Sequence, residues 1–220
     1  MFEKNVVAII QARVASKRFP NKVLKLINGK SLILWVINRV KQCTEIDNIC
    51  IATTEDKSDD DLVNFLKKED VLIFRGETED VLSRYYHAAS VTKASHVIRI
   101  TSDCPFVDPS IISKVIKHFE EQRKFDYVSN TLSNSYPDGL DVELFSFKAL
   151  EVAHLNAKSS YEREHVTPYI KKNLSVDNVI SEYPYAKNIR LTIDEPIDLK
   201  VLNGIVKKLG LTILFNFLTF

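Results

Sequence analysis

Short runs of β-branched and other apolar residues alternate with stretches whose apolar side chains recur at helical spacing, and few folds accept that rhythm. Val6–Gln11, Asn48–Thr53, Val71–Phe74 and His96–Thr101 read as strands. Between them, Ser31–Cys43 sets Leu32, Trp35, Val36, Val40 and Cys43 on one side, and Thr78–Lys93 does the same with Val81, Leu82, Tyr85, Ala88 and Ala89. Ser58, with Asp61 three residues on, signals the start of a helix carrying Leu62, Phe65 and Leu66. Asp108-Pro109 starts another, facing a core through Ile112, Val115, Ile116 and Phe119. Such alternation predicts an α/β domain with a parallel, helix-covered sheet. After Gln122 the rhythm changes. Phe125–Ser129 and Val142–Phe147 read as strands around a polar loop, Asn130–Gly139, and Lys148–Asn156 as a helix. Ser159–Lys172 is polar, then helical around Val166 and Ile170 despite Pro168. Strands at Val176–Tyr183 and Ile189–Ile193 and a helix over Pro196–Leu209 follow. The expectation is a single domain over 1–220, with a small inserted region at 125–175.

Net charge is only +1, which argues against general nucleic-acid binding, yet positive charge is concentrated. From Lys4 to Thr44 there are nine Lys or Arg residues and no Asp or Glu. Arg13, Lys17, Arg18 and Lys22 come directly after the first strand, and Pro20 keeps a helix from starting early. A cationic loop at the carboxyl end of a strand in an α/β protein is placed to hold a polyanion such as a triphosphate. A solvated basic face accounts for the same spacing. The loop is neither a P-loop, since GxxxxGK[ST] is absent, nor a dinucleotide fingerprint, since it contains no glycine. Asp103 lies just past the strand ending at Thr101, where a carboxylate points into the crevice and suits Mg²⁺, whereas Asp108 is better explained as a helix cap. Asp194 precedes the helix that starts at Pro196. It is either another cap or, with Asp103, a second carboxylate from a second strand end. Cys43, Cys50 and Cys104 have no metal-ligand spacing, and an odd count without a signal peptide implies a reducing, cytoplasmic compartment. Val6–Ile10 is too short for a secretory core and Leu211–Phe220 too short for a membrane span; the latter is a buried element, a dimer contact or a truncation scar.

The stretch Gln11-Ala12-Arg13-Val14-Ala15-Ser16-Lys17-Arg18-Phe19-Pro20-Asn21-Lys22 resembles the opening motif of the sugar-acid cytidylyltransferases. Phe74-Arg75-Gly76, Glu79–Tyr86, Thr101–Pro105, Arg163–Ile170 and Leu191–Leu199 extend the resemblance across 5–209, to the branch named after spore-coat polysaccharide biosynthesis protein F. The resemblance implies a Rossmann-like, mixed but mostly parallel sheet covered by helices on both faces, with the inserted region serving dimerisation or the acceptor. It implies a homodimer that transfers CMP from CTP to a hydroxyl of an acidic sugar, of nonulosonate or octulosonate type, releasing pyrophosphate for surface polysaccharide or glycan biosynthesis. Arg13, Lys22 and Asp103 are then catalytic. Gln11, Ala12, Ser16, Arg18, Arg75 and Arg84 join those three in binding the nucleotide. Asp103 and Asp194 hold Mg²⁺. Asp138, Asp141, Arg163 and His165 face the acceptor. No nucleic acid or membrane partner is implied. Ala15 and Asn21 stand where the family often has glycine. For His165 a structural hydrogen bond and a catalytic role both remain open. Arg163 pairs either with a substrate carboxylate or with Glu120 or Glu121. The alternative is a nucleotide-sugar-dependent glycosyltransferase, which would usually show Asp-x-Asp where this chain has Asp103-Cys104-Pro105.

Overall fold

The computed structural model describes residues 4–16, 18–133, 135–182 and 188–212. At its centre is β1 (Val6–Gln11), buried at every position but the last. Val6, Ala8 and Ile10 enter one core cluster, Val7 and Ile9 the other. Side chains alternate across a strand, so a strand with helices on both faces must be apolar throughout. Parallel strands β4 (Asn48–Thr54) and β6 (His96–Thr101) flank β1, and β5 (Leu72–Gly76) lies beyond β4. Beyond β6 come β8 (Glu143–Ser146), antiparallel, then β7 (Tyr127–Ser129) and β9 (Val176–Asn178). The seven-stranded order is β5-β4-β1-β6-β8-β7-β9, a mixed and mostly parallel sheet. One core cluster joins α1 (Leu32–Val40), α2 (Asp60–Leu66), α4 (Pro109–Gln122) and α8 (Pro196–Leu209) to the sheet; the other joins α3 (Val81–Val91), α5 (Phe147–Asn156) and α7 (Pro168–Asn173) to its opposite face. A short hairpin, β2 (Leu26–Ile27) and β3 (Lys30–Ser31), turns at Asn28-Gly29, both at positive φ.

This topology positions the site. The chain runs outward from β1 through β4 to β5, then crosses back to the other side of β1 for β6. Strand order therefore reverses between β1 and β6, where the carboxyl ends of an open sheet leave a crevice. Gln11 and Thr101 face each other there across the ladder.

Four local expectations need correction. The helix is not capped by Ser58: Asp56 accepts from the Ser58 N–H at 2.8 Å, a 3-10 turn covers Lys57–Asp59, and α2 follows. Ser159–Lys172 is two helices, α6 (Ser160–His165) and α7, with Pro168 in the first turn of the second. They meet at Val166, held at φ 70 and ψ −58, with the Thr167 N–H donating to the His165 carbonyl at 2.8 Å. That is a γ-turn, strained for a β-branched residue. The strand expected from Val176 ends at Asn178. Ile189–Ile193 forms no strand either, because its backbone alternates between two partners. Leu191 N–H donates to Asp138 (2.7 Å) and Ile193 N–H to Asp103 (2.9 Å), leaving one isolated bridge, Asp138 with Arg190. Gly139, at φ 102, lets that segment pass: a Cβ there would lie 2.7 Å from the Leu191 carbonyl carbon. Of the apolar tail, Leu211 is buried and Thr212 exposed; 213–220 lie outside the described residues, as does Tyr183. Among the described residues no helix is long and apolar enough to cross a membrane.

Candidate active site

The loop after β1 folds around Val14. Its N–H donates to Asp59 Oδ1 at 2.6 Å, and its carbonyl accepts from Ser16 (2.8 Å) and Asn21 (3.1 Å). Asp59 is 1 % exposed and also accepts from the Thr53 hydroxyl (2.9 Å), the Thr54 N–H (3.1 Å) and the Thr54 hydroxyl. One buried carboxylate thus ties the cationic loop to the end of β4. Asn21 sits at φ 57, in the left-handed region that asparagine enters more readily than most residues, so it serves where glycine is common. Asp59→Ala would leave the Val14 and Thr54 N–H groups and two hydroxyls without their acceptor. We expect it to cost about 2–3 kcal/mol in urea unfolding, given what buried unsatisfied donors cost. A loss within about 0.5 kcal/mol, the range of ordinary surface changes, would show that the loop holds without it.

Past Asn21 the chain turns Lys22 inward. Its ammonium, on a side chain 11 % exposed, lies 3.1 Å from Asp103 Oδ2 and 3.4 Å from Asp194 Oδ1, and donates to the Ile193 carbonyl at 2.8 Å. Asp103 follows β6, and Asp194 follows the extended segment hydrogen-bonded to it. Asp194 is not the cap of α8; Glu195 is, in a capping box with Asp198. Asp194 instead meets Arg18 at 2.9 Å and Arg190 at 2.8 Å. Burial alone would raise the Asp103 pKa; the Lys22 charge and a hydrogen bond from Thr101 outweigh it and hold the carboxyl below its usual range.

Arg18, Lys22, Asp103 and Asp194 line one cleft of about 360 Å³ with Gln11, Ala12, Arg13, Ser16, Arg84, Arg99, Thr101, Glu164 and His165. Lys17 lies outside the described residues. Arg84 is 3 % exposed; one of its amino groups donates to the Glu77 carbonyl at 2.6 Å, while its buried Nε has no partner among the described residues. Burial chiefly lowers its pKa, with the nearby Arg13 charge adding to the effect. Two carboxylates turned on one point are hard oxygen donors, and Mg²⁺ takes one or two of these plus phosphate oxygens, so the residues present fit that ion. Among the described residues no group of three or more His, Cys, Asp or Glu side chains forms a ready-made metal cage.

A second cavity, of about 660 Å³, adjoins the first through Arg99, Thr101 and His165. Asp141, Glu143, Tyr161, Lys171 and Lys172 also line it. Glu143 is its hub: it pairs with Arg99 across the β6–β8 ladder and with Lys171 at 2.7 Å, and accepts from Tyr127 (2.7 Å) and Thr167 (2.8 Å). Burial opposes its charge, but Arg99 and Lys171 prevail and bring its pKa down to about 2. Among the described residues no comparable set of donors holds Asp141, and Arg99 offsets its burial only in part. Desolvation first, then the carboxylates Asp138 and Glu143, push it up to about 6.

The structure therefore gathers Gln11, Ala12, Arg13, Ser16, Arg18, Lys22, Arg84, Asp103 and Asp194, with His165 on the shared wall and Asp141 in the second cavity. Three expected residues are turned elsewhere. Arg75 binds the Thr54 and Asp56 carbonyls and Asp60, bracing the turn before α2. Arg163 pairs with Asp80, the cap of α3, and with the His154 carbonyl, not with Glu120 or Glu121. Asp138 meets Arg190 at 3.4 Å. Sequence reasoning missed Asp59, which nothing local distinguishes from Asp60 and Asp61. It also missed Arg99 with Glu143 and Lys171, although an unexpected charge inside each of two apolar strands was the available signal.

Comparisons with known proteins bear on the family and the fold. The family model described as Cytidylyltransferase matches residues 7–214. The spore coat polysaccharide biosynthesis protein SpsF of Bacillus subtilis is 32% identical over 216 residues, 94% of this chain and 88% of that protein. A 3-deoxy-manno-octulosonate cytidylyltransferase of Christiangramia forsetii is 26% identical over 140 residues, 64% of this chain and 56% of that one. A solved cytidylyltransferase structure from Leptospira borgpetersenii superposes with a TM-score of 0.92 at 28% identity, covering 99% of this chain and 92% of that one.

Proposed function

The chain belongs to the cytidylyltransferase family, and we propose that it transfers CMP from CTP to a hydroxyl of an acidic sugar of nonulosonate or octulosonate type, releasing pyrophosphate, for surface polysaccharide or glycan biosynthesis. The observation that carries the reading is the convergence of Lys22, Arg18, Asp103 and Asp194 at the reversal point of the sheet. The acceptor oxygen attacks the α-phosphorus while charge builds on the leaving pyrophosphate. Positioning and charge neutralisation are what such a transfer demands of a protein. Arg13, Arg18 and Lys22 face the leaving group. Asp103 and Asp194 are the residues to hold Mg²⁺, which when bound neutralises phosphate charge and lowers the pKa of the acceptor hydroxyl.

The adjoining cavity takes the acceptor. Lys171, Lys172 and Arg99 face its carboxylate, and Asp141 and His165 its hydroxyls. The names of the Bacillus and Christiangramia relatives support the polysaccharide and sugar-acid parts of the reading. Pyrophosphate release, assayed with CTP, UTP, ATP and GTP across a panel of octulosonic and nonulosonic acids, is the test. Release with CTP and an acidic acceptor alone is expected. Equal release with the other nucleotides, or hydrolysis of a UDP-sugar in its place, would overturn the assignment.

A further inference from the structure

The two carboxylates at the centre of the cleft are already neutralised by this chain's own cations. Lys22 lies against both Asp103 and Asp194 and against the Ile193 carbonyl. Arg18 takes Asp194 Oδ1 and Arg190 takes Asp194 Oδ2. Arg190 is held in turn by Asp138 and Asp198. A divalent cation approaching alone would have to drive out a mostly buried ammonium from three oxygen partners, and would meet the guanidinium of Arg18 as it did so. A polyphosphate changes this balance. Arg18 is exposed and Lys22 lies in the wall of the same cleft, so phosphate oxygens entering it compete with the carboxylates for both side chains.

We propose that Lys22 is a stand-in cation: in the free protein its ammonium occupies the seat between Asp103 and Asp194, so that the divalent ion binds there only together with the nucleotide, whose phosphates draw Lys22 and Arg18 off the carboxylates. The proposal rests on reading the cleft as a metal–nucleotide site. Linkage makes the effect mutual: whatever factor the nucleotide adds to metal affinity, the metal adds to nucleotide affinity. Lys22 thereby serves twice, excluding free metal before binding and facing the phosphates afterwards. It also keeps two acidic side chains from facing each other unpaired in a half-buried cleft, where like charges repel strongly.

Mn²⁺, which also favours oxygen ligands, serves as the probe, its free concentration read by electron paramagnetic resonance. Wild-type protein without nucleotide is expected to retain little Mn²⁺. Lys22→Gln, confirmed folded by circular dichroism, is expected to bind Mn²⁺ without nucleotide about tenfold more tightly or better, within the usual range of coupling between sites. Adding Asp103→Asn to that variant should abolish the gain. In the wild type, a non-hydrolysable CTP analogue should bring Mn²⁺ onto the protein, read as Mn²⁺ retained with the protein on ultrafiltration, because the triphosphate alone also chelates the ion. Tight Mn²⁺ binding by the wild type without nucleotide, or no gain in Lys22→Gln, would overturn the stand-in role. If CTP-dependent pyrophosphate release persists in that case, the functional reading survives and only this proposal fails. If neither Mn²⁺ with the analogue nor CTP associates with the protein, the functional reading falls and takes the proposal with it.

Discussion

Asp103→Asn is expected to lower the turnover of CTP by about hundredfold or more, the loss seen when one preorganised charge is removed from a site of developing charge. The substitution keeps the shape and removes the charge that Lys22 faces at 3.1 Å. It also replaces one of the two anionic donors at the proposed metal seat with a neutral amide oxygen. Lys22→Ala should lose at least as much, because its ammonium is the group that both carboxylates share. The measurement is kcat from pyrophosphate release at saturating CTP and acceptor, alongside urea unfolding to show that the variants fold. Wild-type turnover in either variant would remove the cleft from the chemistry. A rise in KM with unchanged kcat would mean that Asp103 contributes equally to ground state and transition state, and so to binding alone.

How far the sequence carries to this point depends on the kind of signal. β1 and α8 are legible because a strand buried on both faces must be apolar throughout, and a helix that opens with proline and ends before glycine marks its own ends. Lys22 and Asp103 are legible as charges in the loops that follow β1 and β6, where an open α/β sheet leaves its crevice, whereas Asp194 follows a segment that forms no strand. Ile189–Ile193 is not legible, because its apolar pattern suits a strand while its hydrogen bonds go to two different loops. Nor is the break at Val166: nothing in Arg163–Ile170 announces a γ-turn, and Pro168 alone fits a kinked helix as well as two helices. Arg75 and Arg163 look like ligand residues, but each serves as a brace, because carbonyls and an aspartate close in space satisfy the guanidinium first. An arginine's role is set by which acceptors the fold brings near it, and most of these are distant in sequence.

Glu143 gives the largest expected effect on stability. Its carboxylate is 5 % exposed and answers Arg99, Lys171, Tyr127 and Thr167 together. Glu143→Gln keeps acceptor capacity for the two hydroxyls but leaves two cations beside a neutral group. Breaking a buried charge pair in this way costs about 3–5 kcal/mol at pH 7. The same interaction sets an acid limb. The folded pKa is depressed to about 2 from an ordinary value of 4.5, so the unfolded chain takes up this proton first as pH falls. The stabilisation is fully present above pH 4.5 and is lost as pH falls toward about 2, an amount on the order of 3 kcal/mol by linkage. Wild type and Glu143→Gln should therefore differ most near neutral pH and converge in urea unfolding carried out toward pH 2. A variant within about 1 kcal/mol of wild type at pH 7, the size of an exposed ion pair, would mean that solvent already screens the network. The same residue borders the proposed site. Arg99 forms part of the shared wall of both cavities, with Gln11 Oε1 3.3 Å from one of its amino groups and Glu143 at the other. Loss of Glu143 is then expected to raise KM for the acceptor more than for CTP, because Lys171 and Arg99 line the cavity proposed for the acceptor while Lys22 and Arg18 keep their own partners.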